Sequence, residues 1–260
     1  VTLAFPINYL IPYLLRDFTG YFLPRSVLAI AYFIQIFLLT TVRLVWRILT
    51  DNDLKKDVIH GLSRNIPFSP PDISEVEIEE VVKAMKSGWI TTGPRTKEFE
   101  RRIAEYVGVK RAACLNSATA AMELTLRILG VGPGDEVITS AYTYTASASI
   151  IDHVGAKIVL VDTAKDSFEM DYDQLAAAIT EKTKVIIPVD LAGKMCDYDK
   201  IFDTLDKKKH LYQPNNDLQK NFERCIVMAD AAHAFGAKQR GKSCGQVADF
   251  TCFSFHAVKN

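Results

Sequence analysis

The sequence predicts an α/β domain built on a mostly parallel sheet with helices on both faces. From Ile66 onward, helical periods alternate with short continuous apolar runs, the pattern of strands buried on both sides. Short polar segments follow several of these runs, at the carboxyl ends where open parallel sheets bind ligands. No Gly-x-Gly-x-x-Gly follows any run, which argues against a dinucleotide-binding version of the architecture.

In chain order, Ser74-Glu75-Val76-Glu77 reads as a capping box. It opens a helix with apolar Val76, Ile78, Val81, Val82 and Met85, stopped near Gly88. The chain turns at Thr92-Gly93-Pro94. A second helix is expected over about 96–107, with Phe99, Ile103 and Tyr106 on one face and Gly108 after it. Strands are expected at 112–115, 137–139, 158–161, 185–189, 226–229 and 250–253, and a helix at 120–129. The polar, Asn-rich stretch 207–223 lacks a clear period and reads as an insertion or a helix with a surface loop. No internal repeat is visible.

The chain of 260 residues is 48% hydrophobic and 24% charged, with Lys plus Arg equal to Asp plus Glu. That composition is globular and leaves no basic field for nucleic acid, so no nucleic-acid partner is expected. Cysteines at 114, 196, 225, 244 and 252 form no C-x-x-C pair and mostly lie in apolar runs. They read as buried thiols of a reducing compartment, with neither a metal site nor a disulfide framework.

Two domains are expected, divided near residue 60. Residues 1–60 form an apolar helical segment, because Val1 to Leu15 and Ser26 to Val42 carry no charge. A spanning helix needs roughly 20 apolar residues, and Leu44, Val45 and Trp46 extend the second run towards that length. Residues 1–49 are therefore expected to attach to a membrane, the alternative being a buried helical pair. Arg43, Arg47, Lys55 and Lys56 follow, so the positive-inside rule places residues 61–260 in the cytoplasm, at the inner face of the membrane.

The candidate chemistry lies in segments at the strand ends. Ala118 and Thr119 open a helix whose free N–H groups and dipole would attract a phosphate dianion; Thr119 as an ordinary helix cap is the alternative. Tyr144 would lay its ring on an aromatic ligand, or else belong to the core. Asp230 ends the apolar run Ile226-Val227-Met228-Ala229, where a carboxylate needs a cationic partner such as a protonated pyridine nitrogen, or caps a helix. His233 follows three residues later, as a donor to that ligand or as a structural histidine. Ser254 suits a phosphate oxygen. Lys259 comes just after the last apolar run, where desolvation favours the neutral amine that condenses with an aldehyde; the alternative is a solvated tail.

Together, Gly88-Trp89-Ile90-Thr91-Thr92-Gly93-Pro94, Ser117-Ala118-Thr119-Ala120-Ala121, Gly132-Pro133-Gly134-Asp135-Glu136-Val137-Ile138, Asp230-Ala231-Ala232-His233-Ala234 and Ser254-Phe255-His256-Ala257-Val258-Lys259-Asn260 closely resemble the DegT/DnrJ/EryC1/StrS family of sugar aminotransferases. The resemblance runs from about Ile66 to Asn260 and is strongest to the members that make UDP-4-amino-4-deoxy-L-arabinose. It implies the large domain of the fold-type I transferases that use pyridoxal 5'-phosphate (PLP), a homodimer, glutamate as amino donor and a nucleotide-linked keto sugar, with the ketone at carbon 4, as acceptor in polysaccharide or glycan synthesis. It assigns Ala118, Thr119 and Ser254 to the cofactor phosphate, Tyr144 to ring stacking, Asp230 to the pyridine nitrogen, His233 to its neighbourhood and Lys259 to the Schiff base, so that Lys259, Asp230 and His233 are the expected catalytic residues.

The sequence departs from the family at Asp190-Leu191-Ala192-Gly193, where His-x-x-Gly is common. The family also continues past the Lys-Asn pair into further strands and a small domain, so residues 61–260 are expected to be a partial domain. Rival expectations are a catalytically incomplete, membrane-associated scaffold and a PLP-dependent sugar dehydratase. Lys259 argues against the dehydratase, whose members carry His in place of the lysine. The pattern from Leu23-Pro24-Arg25-Ser26-Val27 to Arg43-x-x-x-Arg47 resembles the last membrane helix of membrane-bound nucleotide-sugar dehydratases.

Overall fold

The structure is a computed structural model that describes residues 70–259. The expected apolar segment 1–60 and its membrane attachment lie outside the described residues. Among the described residues, no helix is long and apolar enough to cross a membrane.

Five strands form one parallel sheet: β1 (Glu136–Ser140), β2 (Lys157–Val161), β3 (Thr183–Ile187), β4 (Ile226–Asp230) and β7 (Phe250–Cys252). They lie in the order β2-β1-β3-β4-β7, every adjacent pair parallel. Two short strands, β5 (Lys238–Gln239) and β6 (Lys242–Ser243), make a separate hairpin turning at Arg240 and Gly241, both with positive φ, the conformation a two-residue hairpin turn requires.

Helices α3 (Ala118–Ile128), α4 (Thr145–His153), α5 (Tyr172–Ala178) and α6 (Tyr198–Lys208) cover the sheet. Alternation along the strands sorts their side chains into two cores. Val137, Val185, Ile187, Ile226 and Met228 pack with Met122, Leu126, Ile150 and Ile151 of α3 and α4. Ile138, Ile186, Val227 and Ala229 pack with Leu175, Ile201 and Leu205 of α5 and α6. The continuous apolar runs thus mark strands because both of their faces are covered. A fully buried Leu126 or Ile150 contributes about 1.5–3 kcal/mol from burial.

The amino-terminal part departs from expectation in two places. Helix α1 (Glu75–Lys86) carries the expected capping box, Ser74 with Glu77, yet buries none of its residues. Helix α2 (Pro94–Val107) begins two residues earlier than expected because Pro94, preset for a first helical turn, follows Gly93 at the cap. Gly108 ends it with φ +80°.

The strand expected at 112–115 is not formed. Ala113, Cys114 and Leu115 are exposed, and the Cys114 amide donates to Glu100 Oε1 at 2.8 Å rather than to a sheet neighbour. An apolar tetrapeptide becomes a strand only beside a partner ladder, and none of the described strands pairs with it. Cys114 is accordingly exposed, whereas the other four cysteines are buried.

The polar stretch 207–223 is neither free loop nor insertion alone. Helix α6 runs to Lys208, two 3-10 turns follow, and Gln219 is fully buried. Its side-chain amide donates to Leu129 O at 2.8 Å while its Oε1 accepts from the Asn215 amide at 2.9 Å. Asn216 donates to the same Leu129 carbonyl at 2.8 Å. The Asn-rich composition therefore supplies partners for a carbonyl left over at the end of α3.

Candidate active site

The connection order reverses at β1, which has β2 on one side and β3 on the other, and in open α/β sheets the crevice outside the strand ends at such a point is where ligands bind. Tyr144 follows β1, Asp230 and His233 lie at and after the end of β4, and Ser254 and Lys259 follow β7, whereas Ala118 and Thr119 open α3 ahead of β1. Asp230 is the last residue of β4, pairs in register with Cys252 of β7, and accepts the Asp190 amide on its carbonyl at 3.0 Å.

The Asp230 side chain is 5% exposed. Its Oδ2 accepts from Ser147 Oγ at 2.6 Å and its Oδ1 from the Ala232 amide at 3.2 Å. Both donors are neutral, and among the described residues no ion pair reaches this carboxylate. A buried carboxylate held only by neutral donors leaves lone pairs for a cationic partner. Asp230 does not cap a helix; its carboxylate is held by Ser147 and by the Ala232 amide, in a turn outside any helix.

His233 and Lys259 meet. Lys259 Nζ lies 2.6 Å from His233 Nε2, and its backbone amide closes a turn on His256 O at 2.8 Å. His233 Nδ1 accepts from the Ala192 amide at 3.3 Å, so a neutral ring carries its proton on Nε2, facing the lysine. Burial holds the His233 pKa below the ordinary value, the Lys259 charge adds to that effect, and Asp230 opposes it. Histidine thus senses both the lysine and the carboxylate, and its neutral form is favoured.

Ala118 and Thr119 are the first two residues of α3, but the cap is Ser117, whose hydroxyl accepts the Ala120 amide at 3.0 Å. Thr119 is therefore not the cap, and with Ser117 taking the Ala120 amide, the amides of Ala118 and Thr119 have no partner within the helix. Tyr144 stands at the cap position of α4 with 75% of its surface exposed, outside the core. Ser254, two residues past β7, accepts the His256 amide at 3.3 Å.

Several participants escape sequence reasoning. Ser147, fully buried, is an inconspicuous hydroxyl in an apolar helix. Ala192, φ +53°, contributes only its backbone amide. Asp190 is 1% exposed and accepts from the Cys196 amide at 2.8 Å, Tyr198 Oη at 2.9 Å and Cys244 Sγ at 3.3 Å. Burial pushes its carboxyl up to about 6 despite those three donors, and the Asp230 charge adds to the rise. Two signals mark Asp190: its position after an apolar run, as for Asp230, and its place in the segment Asp190-Leu191-Ala192-Gly193 that departs from the family pattern.

An open parallel sheet that brings an amine, an imidazole and a buried carboxylate to its carboxyl ends is an α/β domain of the kind that binds ligands beyond its strand ends. The model of the DegT/DnrJ/EryC1/StrS aminotransferase family matches residues 71–260, and the chain belongs to that family. The UDP-4-amino-4-deoxy-L-arabinose–oxoglutarate aminotransferase of Shewanella sediminis is 41% identical over 196 residues, which cover 75% of this chain and 46% of that protein. The spore coat polysaccharide biosynthesis protein SpsC of Bacillus subtilis is 39% identical over 195 residues, 75% of this chain and 46% of the relative. Among solved structures, the PLP form of the sugar aminotransferase Spr1654 from Streptococcus pneumoniae is 60% identical with a TM-score of 0.75, over 75% of this chain and 50% of that one. The chain spans about half the length of the curated relatives it matches.

Proposed function

We propose that this chain is the cofactor-binding part of a PLP-dependent aminotransferase that moves an amino group from glutamate to a nucleotide-linked sugar bearing a ketone at carbon 4. The observation that carries the reading is the pairing of Lys259 Nζ with His233 Nε2 at 2.6 Å beside a buried carboxylate that lacks a cation. Family membership and the names of the relatives support the same reaction and the same substrate class.

The residues present fit PLP on the chemistry of the donor set. Asp230, charged and held by neutral donors, fits a protonated pyridine nitrogen. The unpartnered amides of Ala118 and Thr119 at the start of α3, with Ser254 Oγ, fit the phosphate dianion. Tyr144 offers an exposed ring for stacking. Lys259 is the amine placed to hold the cofactor, with His233 Nε2 at hydrogen-bond distance from its Nζ.

When bound, PLP supplies a carbonyl carbon for covalent attachment and a pyridine ring that withdraws electrons from the substrate carbon losing its proton. The chain's own groups orient and move protons. Asp230 would face the ring nitrogen and favour its protonated form, and Lys259 Nζ would serve as the base and acid that carries the substrate proton. His233 Nε2, within hydrogen-bond reach, exchanges that proton with the lysine.

We further infer that two copies assemble. Val81 and Met85 of α1, with Trp89 and Ile90 just after it, expose large apolar side chains, Ile90 to 84%. Exposed apolar side chains gathered in one segment mark an association face.

The function is tested by adding PLP to the purified protein and following visible absorbance before and after glutamate. The expected result is a cofactor band that glutamate bleaches, with no band in Lys259→Ala. A band of equal intensity in Lys259→Ala, or none in the unsubstituted protein, overturns the reading.

A further inference from the structure

We propose that Ser147 is the positioning residue for Asp230: its hydroxyl fixes the carboxylate that faces the cofactor's ring nitrogen, and Thr143 holds that hydroxyl in turn. The inference rests on the reading of the site as a PLP site.

Ser147 lies in the first turn of α4, on a different element from Asp230, and its side chain is fully buried. A buried hydroxyl must be hydrogen-bonded to be tolerated. Ser147 Oγ has one proton and two lone pairs. An ionised carboxylate only accepts, so the proton goes to Asp230 Oδ2 at 2.6 Å. Thr143 Oγ1 lies 2.7 Å from the same oxygen. With the Ser147 proton already committed, Thr143 must be the donor. The chain of hydrogen bonds therefore runs one way, from Thr143 to Ser147 to Asp230.

The backbone reinforces this direction. The Ser147 amide donates to Tyr144 O at 3.2 Å, so the turn that carries Ser147 is the turn whose first residue offers the stacking ring. The carboxylate is gripped at both oxygens, by Ser147 and by the Ala232 amide, which sets its plane and leaves further lone pairs for a ligand. Neutral grips matter here. A lysine or arginine at position 147 would orient the carboxylate equally well but would neutralise it, whereas a hydroxyl orients it and leaves its charge for the ring nitrogen. The amino-terminal end of α4 adds only a partial positive charge behind the pair.

The test uses the PLP-loaded protein and Ser147→Ala, Ser147→Thr, Thr143→Val and Asp230→Asn, with two readouts: the PLP dissociation constant and the nitrogen-15 NMR shift of ring-labelled bound PLP. Thermal melting of each variant checks that it is folded. Ser147→Ala is expected to weaken PLP binding about tenfold, the scale of one hydrogen bond to a charged group, and to move the ring signal towards that of the neutral nitrogen. Ser147→Thr keeps the hydroxyl and is expected to retain both values, while Thr143→Val gives a smaller loss, about threefold. Should Ser147→Ala fail to fold, Thr143→Val decides, because unchanged binding and shift in that variant overturn the relay. If Asp230→Asn weakens binding and Ser147→Ala does not, the Ser147 role is overturned while the PLP reading stands. If Asp230→Asn binds PLP as the unsubstituted protein does, both fall.

Discussion

Asp230 closes strand β4 and Asp190 follows β3 by three residues, yet their surroundings divide their roles. Asp230 is held by two neutral donors and meets no ion pair among the described residues, whereas Asp190 is satisfied on both oxygens by Cys196, Tyr198 and Cys244. Burial raises the Asp190 pKa in the folded state to about 6 from 3.8. An acid with a raised folded-state pKa stabilises the fold fully below its unfolded value, and that contribution is lost as pH rises through the folded value. The stability difference between the protein and Asp190→Asn should therefore fall between about pH 4 and pH 6, by up to about 3 kcal/mol, and be flat above. Urea unfolding of both proteins across that window checks it; a difference that is constant or rises with pH contradicts the assignment.

At the scale of elements, the segment 209–221 shows how a polar stretch can be structural. Gln219 joins the end of α3 to Asn215, and Tyr212 Oη donates to Gln219 O at 3.1 Å. Gln219→Ala would leave the Asn215 amide without its partner and take one of two donors from the Leu129 carbonyl, so a loss of about 1–3 kcal/mol is expected in equilibrium unfolding, with little change in the slope against denaturant. The sequence hides this because Gln and Asn are surface residues by default, and only three-dimensional placement shows the orphan carbonyl they serve. Strands β1, β3 and β4 are legible for the opposite reason, since both their faces are covered and leave no polar positions to blur the run. The run at 112–115 shows the limit of that signal: apolar composition does not supply a neighbour to pair with. In the site, Asp230 and Lys259 are legible as charges next to buried strands, and His233 by its spacing from Asp230. Ser147 is not, because a small hydroxyl on an apolar helix has no periodic mark and its importance comes from a partner 83 positions away.

Over the whole molecule, the carboxyl end of the sheet gathers the charged groups: the ends of β4 and β7 bring an acid, an imidazole and an amine to one side of it. The exposed apolar side chains of α1, Trp89 and Ile90 lie apart from the buried cores and are expected to be covered by a second copy. Sedimentation should give twice the mass of the chain, and Val81→Asp with Ile90→Asp should shift it towards the single chain without loss of helical signal. A single-chain mass for the unsubstituted protein would remove this face from the account. The PLP reading turns on one atom, Nζ of Lys259. Borohydride reduction of the PLP-loaded protein followed by peptide mass mapping reads it out: a single pyridoxyl modification is expected on the peptide containing Lys259, and a modification on another lysine, or on none, overturns the reading.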